Sequence, residues 1–240
     1  CRRDFEQASR HDYGYGVCRP WHCPMKTRLA QLFCLCLLAL PCLAQEVIRV
    51  GVELQPYQPY SDVENGEYRG YARDLLDAFA AEHGYRFVYV PLPVRRLLGD
   101  FLGGRVDLKF PDHPQWNADQ KAGHAIPYSR PAAPYVDGIL VKPQQLGQGV
   151  ARIRLLGTQN GFTPWPYLTE IHAGRIKLIQ ANQIESLLLM AINDRVDAVY
   201  LNPRVVAHQL RLMDLAEQAL VLDPQLPHVE DHYYLSSIRY

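Results

Sequence analysis

Short runs of β-branched and aromatic residues alternate with segments of helical period, and the alternation runs through twice. Val47-Ile48-Arg49-Val50-Gly51-Val52-Glu53 reads as a strand, and Leu54 to Asp62, with two Pro and two Tyr, as a loop. Ala72 to His83 places apolar residues at 72, 75, 76, 79 and 80 with Gly84 as a stop, so an amphipathic helix is expected. Arg86 to Val90, Val94 to Leu102 and Val106 to Phe110 then predict strand, helix and strand. The pattern restarts with strands over Ile153–Gly157, Ile176–Gln180 and Val196–Leu201. These are interleaved with helices over Pro166–Ala173, Ile184–Ile192 and Pro203–Leu212. Between the two sets Tyr135 to Lys142 is extended, and Ala219–Asp223 and His232–Ser236 are further strand candidates. Strands alternating with helices predict βαβ units and mainly parallel sheet. Two such sets joined by an extended segment predict an α/β protein of two lobes with a cleft between them, the usual place for a ligand.

The six cysteines do not bear on this fold, because all of them lie at or before Cys42. Met25-Lys26-Thr27-Arg28, the apolar run Leu29 to Leu40 and the small residues near Ala44 have the charge, length and cleavage pattern of a secretory signal. An apolar run of about twelve residues falls short of the roughly 20 that span a bilayer. Pro41 precedes Cys42 where a lipoprotein signal wants Gly, Ala or Ser, which argues against a lipid anchor. Residues 25–44 are therefore expected to be a signal peptide and 1–24 an upstream segment. Localisation is expected to be periplasmic. Six of the 25 basic and three of the 25 acidic residues lie in 1–44, so the remainder carries a formal charge of −3. Such a surface does not predict nucleic-acid binding.

The order of short motifs from residue 47 onward resembles the type II periplasmic solute-binding proteins, in particular the polar-amino-acid class that serves ABC importers. The aromatic-proline loop Gln55-Pro56-Tyr57-Gln58-Pro59-Tyr60 follows the first strand. Gly70-Tyr71-Ala72-Arg73-Asp74-Leu75 is similar to the family's Gly-Phe-x-x-Asp-Leu, and Phe101-Leu102-Gly103-Gly104-Arg105-Val106-Asp107 to its Leu-x-x-Gly-x-x-Asp. Ile126-Pro127-Tyr128-Ser129-Arg130-Pro131, Gly157-Thr158 and Asn193-Asp194-Arg195-Val196-Asp197-Ala198-Val199 match in the same order. The resemblance implies a two-lobed fold, each lobe a mainly parallel sheet flanked by helices, hinged by crossover strands. One lobe would hold 45–138 and 228–240, the other 139–227. It further implies hinged capture of a small polar solute, an amino acid or a related compound, by a monomer that delivers it to a membrane ABC permease or a sensor, with no cofactor. The family ends on a helix after the return strand, whereas here only Ile238-Arg239-Tyr240 follow, so that helix is expected to be missing.

The resemblance departs at both groups that would hold an α-amino acid. No Arg occurs between Asp107 and Ser129, where Lys121 is the nearest cation to the family's carboxylate-binding position, and Asn202 stands where an ammonium-binding Asp is expected. Lys does not reproduce the two-pronged grip of a guanidinium on a carboxylate.

Candidate ligand contacts are Glu53, Tyr57 and Tyr60 after the first strand, where a parallel sheet presents its ligands. Lys109, Asp112 and Trp116 follow the third strand, with Lys121 beyond. Thr158, Gln159 and Asn160 open a turn before a helix. Asn202 is either a contact or the cap of the following helix. Each has a plain structural alternative as a packed turn, a solvated end or a cap. An enzyme on the same fold, resembling the cyclodehydratases, would use Glu53, Asp112 or Asp74. A detached sensory domain and a remnant without function are further alternatives. His228, Glu230 and His232 would share a face of an extended strand, but that spacing is weak support for a metal site, and none is expected.

Overall fold

In the computed structural model, residues 46–239 are described, so the upstream segment and export signal expected in 1–44 lie outside the described residues. Eleven strands are described, β1 (Val47–Glu53), β2 (Asp62–Glu64), β3 (Glu67–Arg69), β4 (Arg86–Leu92), β5 (Leu108–Asp112), β6 (Ala133–Val141), β7 (Leu155–Gln159), β8 (Lys177–Ala181), β9 (Ala198–Leu201), β10 (Val221–Leu222) and β11 (Val229–Ser237). The helices are α1 (Tyr71–His83), α2 (Val94–Leu102), α3 (Ala118–Lys121), α4 (Leu168–His172), α5 (Ile184–Ile192) and α6 (Pro203–Leu212). The 3-10 turn Trp165–Tyr167 precedes α4, where one longer helix was expected.

The parallel pairings fall into two sets. β1 lies between β4 and β5, and β7 lies between β8 and β9. Two long strands join the sets by antiparallel pairing. Ala133–Asp137 of β6 pair with Val229–Tyr233 of β11, and Gly138–Leu140 then pair with β9. β11 continues from Tyr234 onto β5. The chain therefore crosses twice between two half-sheets, and β6 changes partner between Asp137 and Gly138.

The longer helices bury the centre of the stripe that their apolar period marks, while Phe79 at the edge of the α1 stripe stays exposed. α1 turns Ala72, Leu76 and Ala80 inward, and Gly84 closes it in a left-handed conformation. α5 buries Ile184, Leu187, Leu188 and Ala191. One apolar core gathers around Ile48, Val50, Val52 and Leu76. Others gather around Leu187, Val199 and Val206 and around Ile139, Leu156 and Tyr200.

The two Arg-Val-Asp motifs do the same work in the two sets. Asp107 accepts the Arg49 N–H at 2.9 Å, and Asp197 accepts the N–H groups of Arg154 and Leu155 at 2.8 Å. Each carboxylate ties the turn before its strand to the start of the neighbouring strand. This use of Asp107 starts β5 at Leu108, two residues later than the expected strand. The β2–β3 hairpin was not expected, although its Asn65-Gly66 turn, both residues at positive φ, is a strong hairpin signal. No helix among the described residues is long and apolar enough to cross a membrane.

Candidate functional site

A cavity of about 120 Å³ opens where the two half-sheets and the crossing strands meet. The end of β1 contributes Glu53, and the loop behind it Tyr57 and Tyr60. The end of β5 and its following loop contribute Lys109, Phe110 and Trp116. Tyr135, Asp137 and Tyr233 enter from the crossing strands. From the second set come Phe162 and Trp165, in the segment after β7, and Tyr200 of β9.

Eleven residues of the wall are aromatic. The Tyr135 and Tyr233 rings stack with centroids 4.5 Å apart, and Trp116 lies 6.0 Å from both. Tyr57 lies 5.3 Å from Phe162, and Tyr60 meets Tyr233 edge-on at 6.0 Å. The Tyr57 loop is pinned to its own start, because the Tyr57 N–H donates to the Ser61 carbonyl and that of Ser61 to Tyr57.

Two carboxyl groups stand in this apolar wall. Burial raises the pKa of Glu53 against the opposing pull of Lys109, while Gln55 donates to Glu53 at 3.3 Å. Burial pushes Asp137 up to about 7, with the Tyr57 hydroxyl working the other way. Asp137 Oδ1 and the hydroxyls of Tyr57 and Tyr68 are shielded from solvent and make no well-aligned hydrogen bond, although Tyr57 stands close to Asp137 and Ser61 to Tyr68.

The cations beside the cavity are committed elsewhere. Lys109 Nζ donates to the Pro111 carbonyl at 2.7 Å and lies 2.9 Å from Asp112 Oδ1; burial depresses its pKa against the pull of Asp112. Lys121 Nζ donates to the same Asp112 oxygen and to the His113 carbonyl, both at 2.8 Å. Ser236 of β11 donates to Asp112 Oδ2 at 2.6 Å. Burial alone would raise Asp112, but the two lysines and Ser236 hold it below the usual carboxylate range.

Of the residues singled out in the sequence, Glu53, Tyr57, Tyr60, Lys109 and Trp116 meet at this one cavity. Asp112 and Lys121 lie behind it as a buried ion pair and are absent from its wall, so Lys121 is a partner of Asp112 there. Thr158 is fully buried and donates to the Tyr200 carbonyl at 3.1 Å. The Gln159 amide is buried without a partner and is not part of the wall. Asn160 accepts from Arg95 and donates to Asn182, both at 3.0 Å. Asn202 takes the alternative role of helix cap, accepting the Arg204 N–H at 2.9 Å. Asp74, in the first turn of α1, is not on the wall either. Among the described residues no group of three His, Cys, Asp or Glu could hold a metal ion.

Asp137, Tyr135, Tyr200 and Tyr233 were not singled out from the sequence. Asp137 carried a signal, being the one charge in the otherwise uncharged run Tyr135 to Val141.

No family model and no curated protein matches this sequence. Solved structures do match. A histidine kinase sensor domain with similarity to periplasmic binding proteins aligns at TM-score 0.65 and 18% identity, over 81% of this chain and 83% of that one. The substrate-binding protein of an amino acid ABC transporter aligns at 0.58 and 18%, over 80% and 85%. An ancestral amino acid-binding protein, a precursor of cyclohexadienyl dehydratase, aligns at 0.58 and 22%, over 80% and 82%. At these identities the likeness defines the fold. The chain has a periplasmic-binding-protein-like fold, a class whose solved members include amino-acid-binding proteins.

Proposed function

We propose that this chain is an extracytoplasmic solute-binding protein. It captures one small polar solute between two lobes, residues 45–138 with 228–240 and residues 139–227, and presents it to an ABC importer in the membrane. The observation that carries this reading is the composition of the cavity wall. Glu53 and Lys109 come from one half-sheet, Phe162 and Tyr200 from the other, and Tyr135, Asp137 and Tyr233 from the strands between. A solute touching all three groups makes contacts that depend on how the halves are set, so binding is coupled to closure. Glu53, Tyr57, Tyr60, Lys109 and Trp116 are the proposed contacts, joined by Asp137, Tyr135 and Tyr233. Export by residues 25–44 to the periplasm is part of the same proposal.

The fold alone does not select this role, since a sensor domain and a precursor of a dehydratase share it. The test is binding by the purified protein, read by calorimetry and thermal shift against amino acids, amines and dicarboxylates, with the solute recovered afterwards. Saturable binding at one site and recovery of an unchanged solute support the proposal. Conversion of the solute would replace it with an enzyme on this fold.

A further inference from the structure

We infer that the cavity takes a small organic cation, an amine or alkylated ammonium without a carboxylate, held against Asp137 inside a box of aromatic rings. This rests on the solute-binding reading above and narrows it to a substrate class.

The first observation is what the wall leaves unpartnered. Asp137 Oδ1 and the hydroxyls of Tyr57 and Tyr68 are shielded from solvent, lack a well-aligned hydrogen bond and belong to residues of the wall, with Tyr57 the neighbour of Asp137. Tyr57 and Tyr68 are only 4% and 2% exposed. Buried polar atoms without partners are unfavourable until a ligand reaches them. An ammonium brings donors and charge together, and an alkylated one brings charge alone.

The second observation is the charge balance. Lys109 is the one cationic side chain on the wall, and its ammonium is already given to Asp112 and the Pro111 carbonyl. Lys121 is spent on the same carboxylate. Two lysines thus stand against three carboxyl groups, Asp112, Glu53 and Asp137. Glu53 raises Asp137, Asp137 in turn raises Tyr57, Tyr135, Tyr200 and Tyr233, and no cation is among the causes that shift Asp137. A ligand carboxylate would find no free cation here and would lie beside the carboxyl groups of Glu53 and Asp137.

The third observation is the rings themselves. Stacked Tyr135 and Tyr233, with Trp116, Tyr60 and Tyr57 around them, offer π faces that attract a cation within about 6 Å. A cavity of about 120 Å³ suits one compact head group, because one of about 150 Å³ accepts benzene.

The experiment uses pairs of probes that differ in a carboxylate: choline and glycine betaine, tyramine and tyrosine, agmatine and arginine. Thermal shift and calorimetry on the purified protein should show at least one amine raising Tm by several degrees, with its carboxylate-bearing twin at least tenfold weaker. Asp137→Asn should weaken that amine at least tenfold and leave the far-ultraviolet circular dichroism unchanged; Glu53→Gln, read in the same way, provides a second variant. The inference is overturned if the carboxylate-bearing twins bind as tightly as the amines, if no amine binds, or if Asp137→Asn binds the amine with unchanged Kd. Binding by the twins alone would sink the cation and keep the solute-binding reading. Chemical conversion of a bound amine would keep the cation and sink that reading.

Discussion

Lys121 Nζ donates to Asp112 Oδ1 at 2.8 Å in a part of the core where Asp112 has no exposed surface. The same oxygen lies 2.9 Å from Lys109 Nζ, so two buried ammonium groups share one carboxylate. Removing it takes the paired carboxylate from both and leaves Lys109 only the weaker pull of Glu53. Asp112→Asn is expected to destabilise the protein by about 3–5 kcal/mol, the usual cost of breaking a buried pair from one side. Lys121→Met keeps Asp112 paired with Lys109 and should cost clearly less. Urea unfolding of the two variants decides the order; equal losses would mean that Lys109 contributes nothing to holding Asp112.

Asp137 sets a dependence of stability on pH. Its folded pKa of about 7 lies above the ordinary value of 3.8, so the native state holds the proton more tightly than the unfolded chain. Below about pH 4 both states are protonated and the group has no effect. From about 4 to 7 the unfolded chain gives up its proton first, so stability falls as pH rises through that window. Above it the loss is complete, on the order of 4 kcal/mol. Glu53 is raised by burial as well and acts in the same direction. The informative quantity is therefore the difference from Asp137→Asn, whose advantage over the parent should grow between pH 4.5 and 7.5 in denaturant titrations. A constant difference would show that Asp137 stays ionised.

The alternation of strands and helices was legible where a helix buries a stripe of one period, as α1, α5 and α6 do, and where a parallel strand is a β-branched run, as β1 is. Ile184 to Ile192 and Val47 to Glu53 need no tertiary information to be read. The site was legible where a residue type is unusual in its place. Lys109 interrupts an apolar strand end, and Tyr57 and Tyr60 sit in a proline loop. It was not legible where pairing is long-range. Asp112 and Lys121 are drawn together with Ser236, 124 residues from Asp112, and nothing local in the sequence marks that partner. Tyr135 and Tyr233 become a stacked pair only because β6 and β11 align side by side. Asn202 was legible in kind, since Asn before Pro is a helix-cap pattern, and the cap is what it forms.

Gly70 explains the first residue of the Gly-Tyr-Ala-Arg-Asp motif. It lies at φ 99°, and a Cβ there would come 2.8 Å from the Tyr60 carbonyl oxygen. That carbonyl accepts the Ala72 N–H at 2.9 Å, so the start of α1 and the Tyr60 loop are built on each other. Gly70→Ala adds a strained backbone conformation to a backbone clash. A loss of about 1–3 kcal/mol is expected, together with weaker ligand binding as Tyr60 moves. A fully stable variant with unaltered binding would show that the loop is free to shift.

Ligand binding should be visible in tryptophan emission, and the two cavity tryptophans report different events. Trp116 is packed against Tyr135 and Tyr233, with Lys109 Nζ 5.9 Å from its ring, so its surroundings are largely set before a ligand arrives. Trp165 belongs to the second set of elements and is 46% exposed. If the halves close on a solute, Trp165 loses water while Trp116 changes little. The emission maximum is expected to move to shorter wavelength on binding in the parent and in Trp116→Phe, and to stay in place in Trp165→Phe, with calorimetry confirming that both variants still bind. A shift that persists in Trp165→Phe and disappears in Trp116→Phe would place the change around the Tyr135–Tyr233 stack. It would mean that the solute is taken up without the two halves approaching one another.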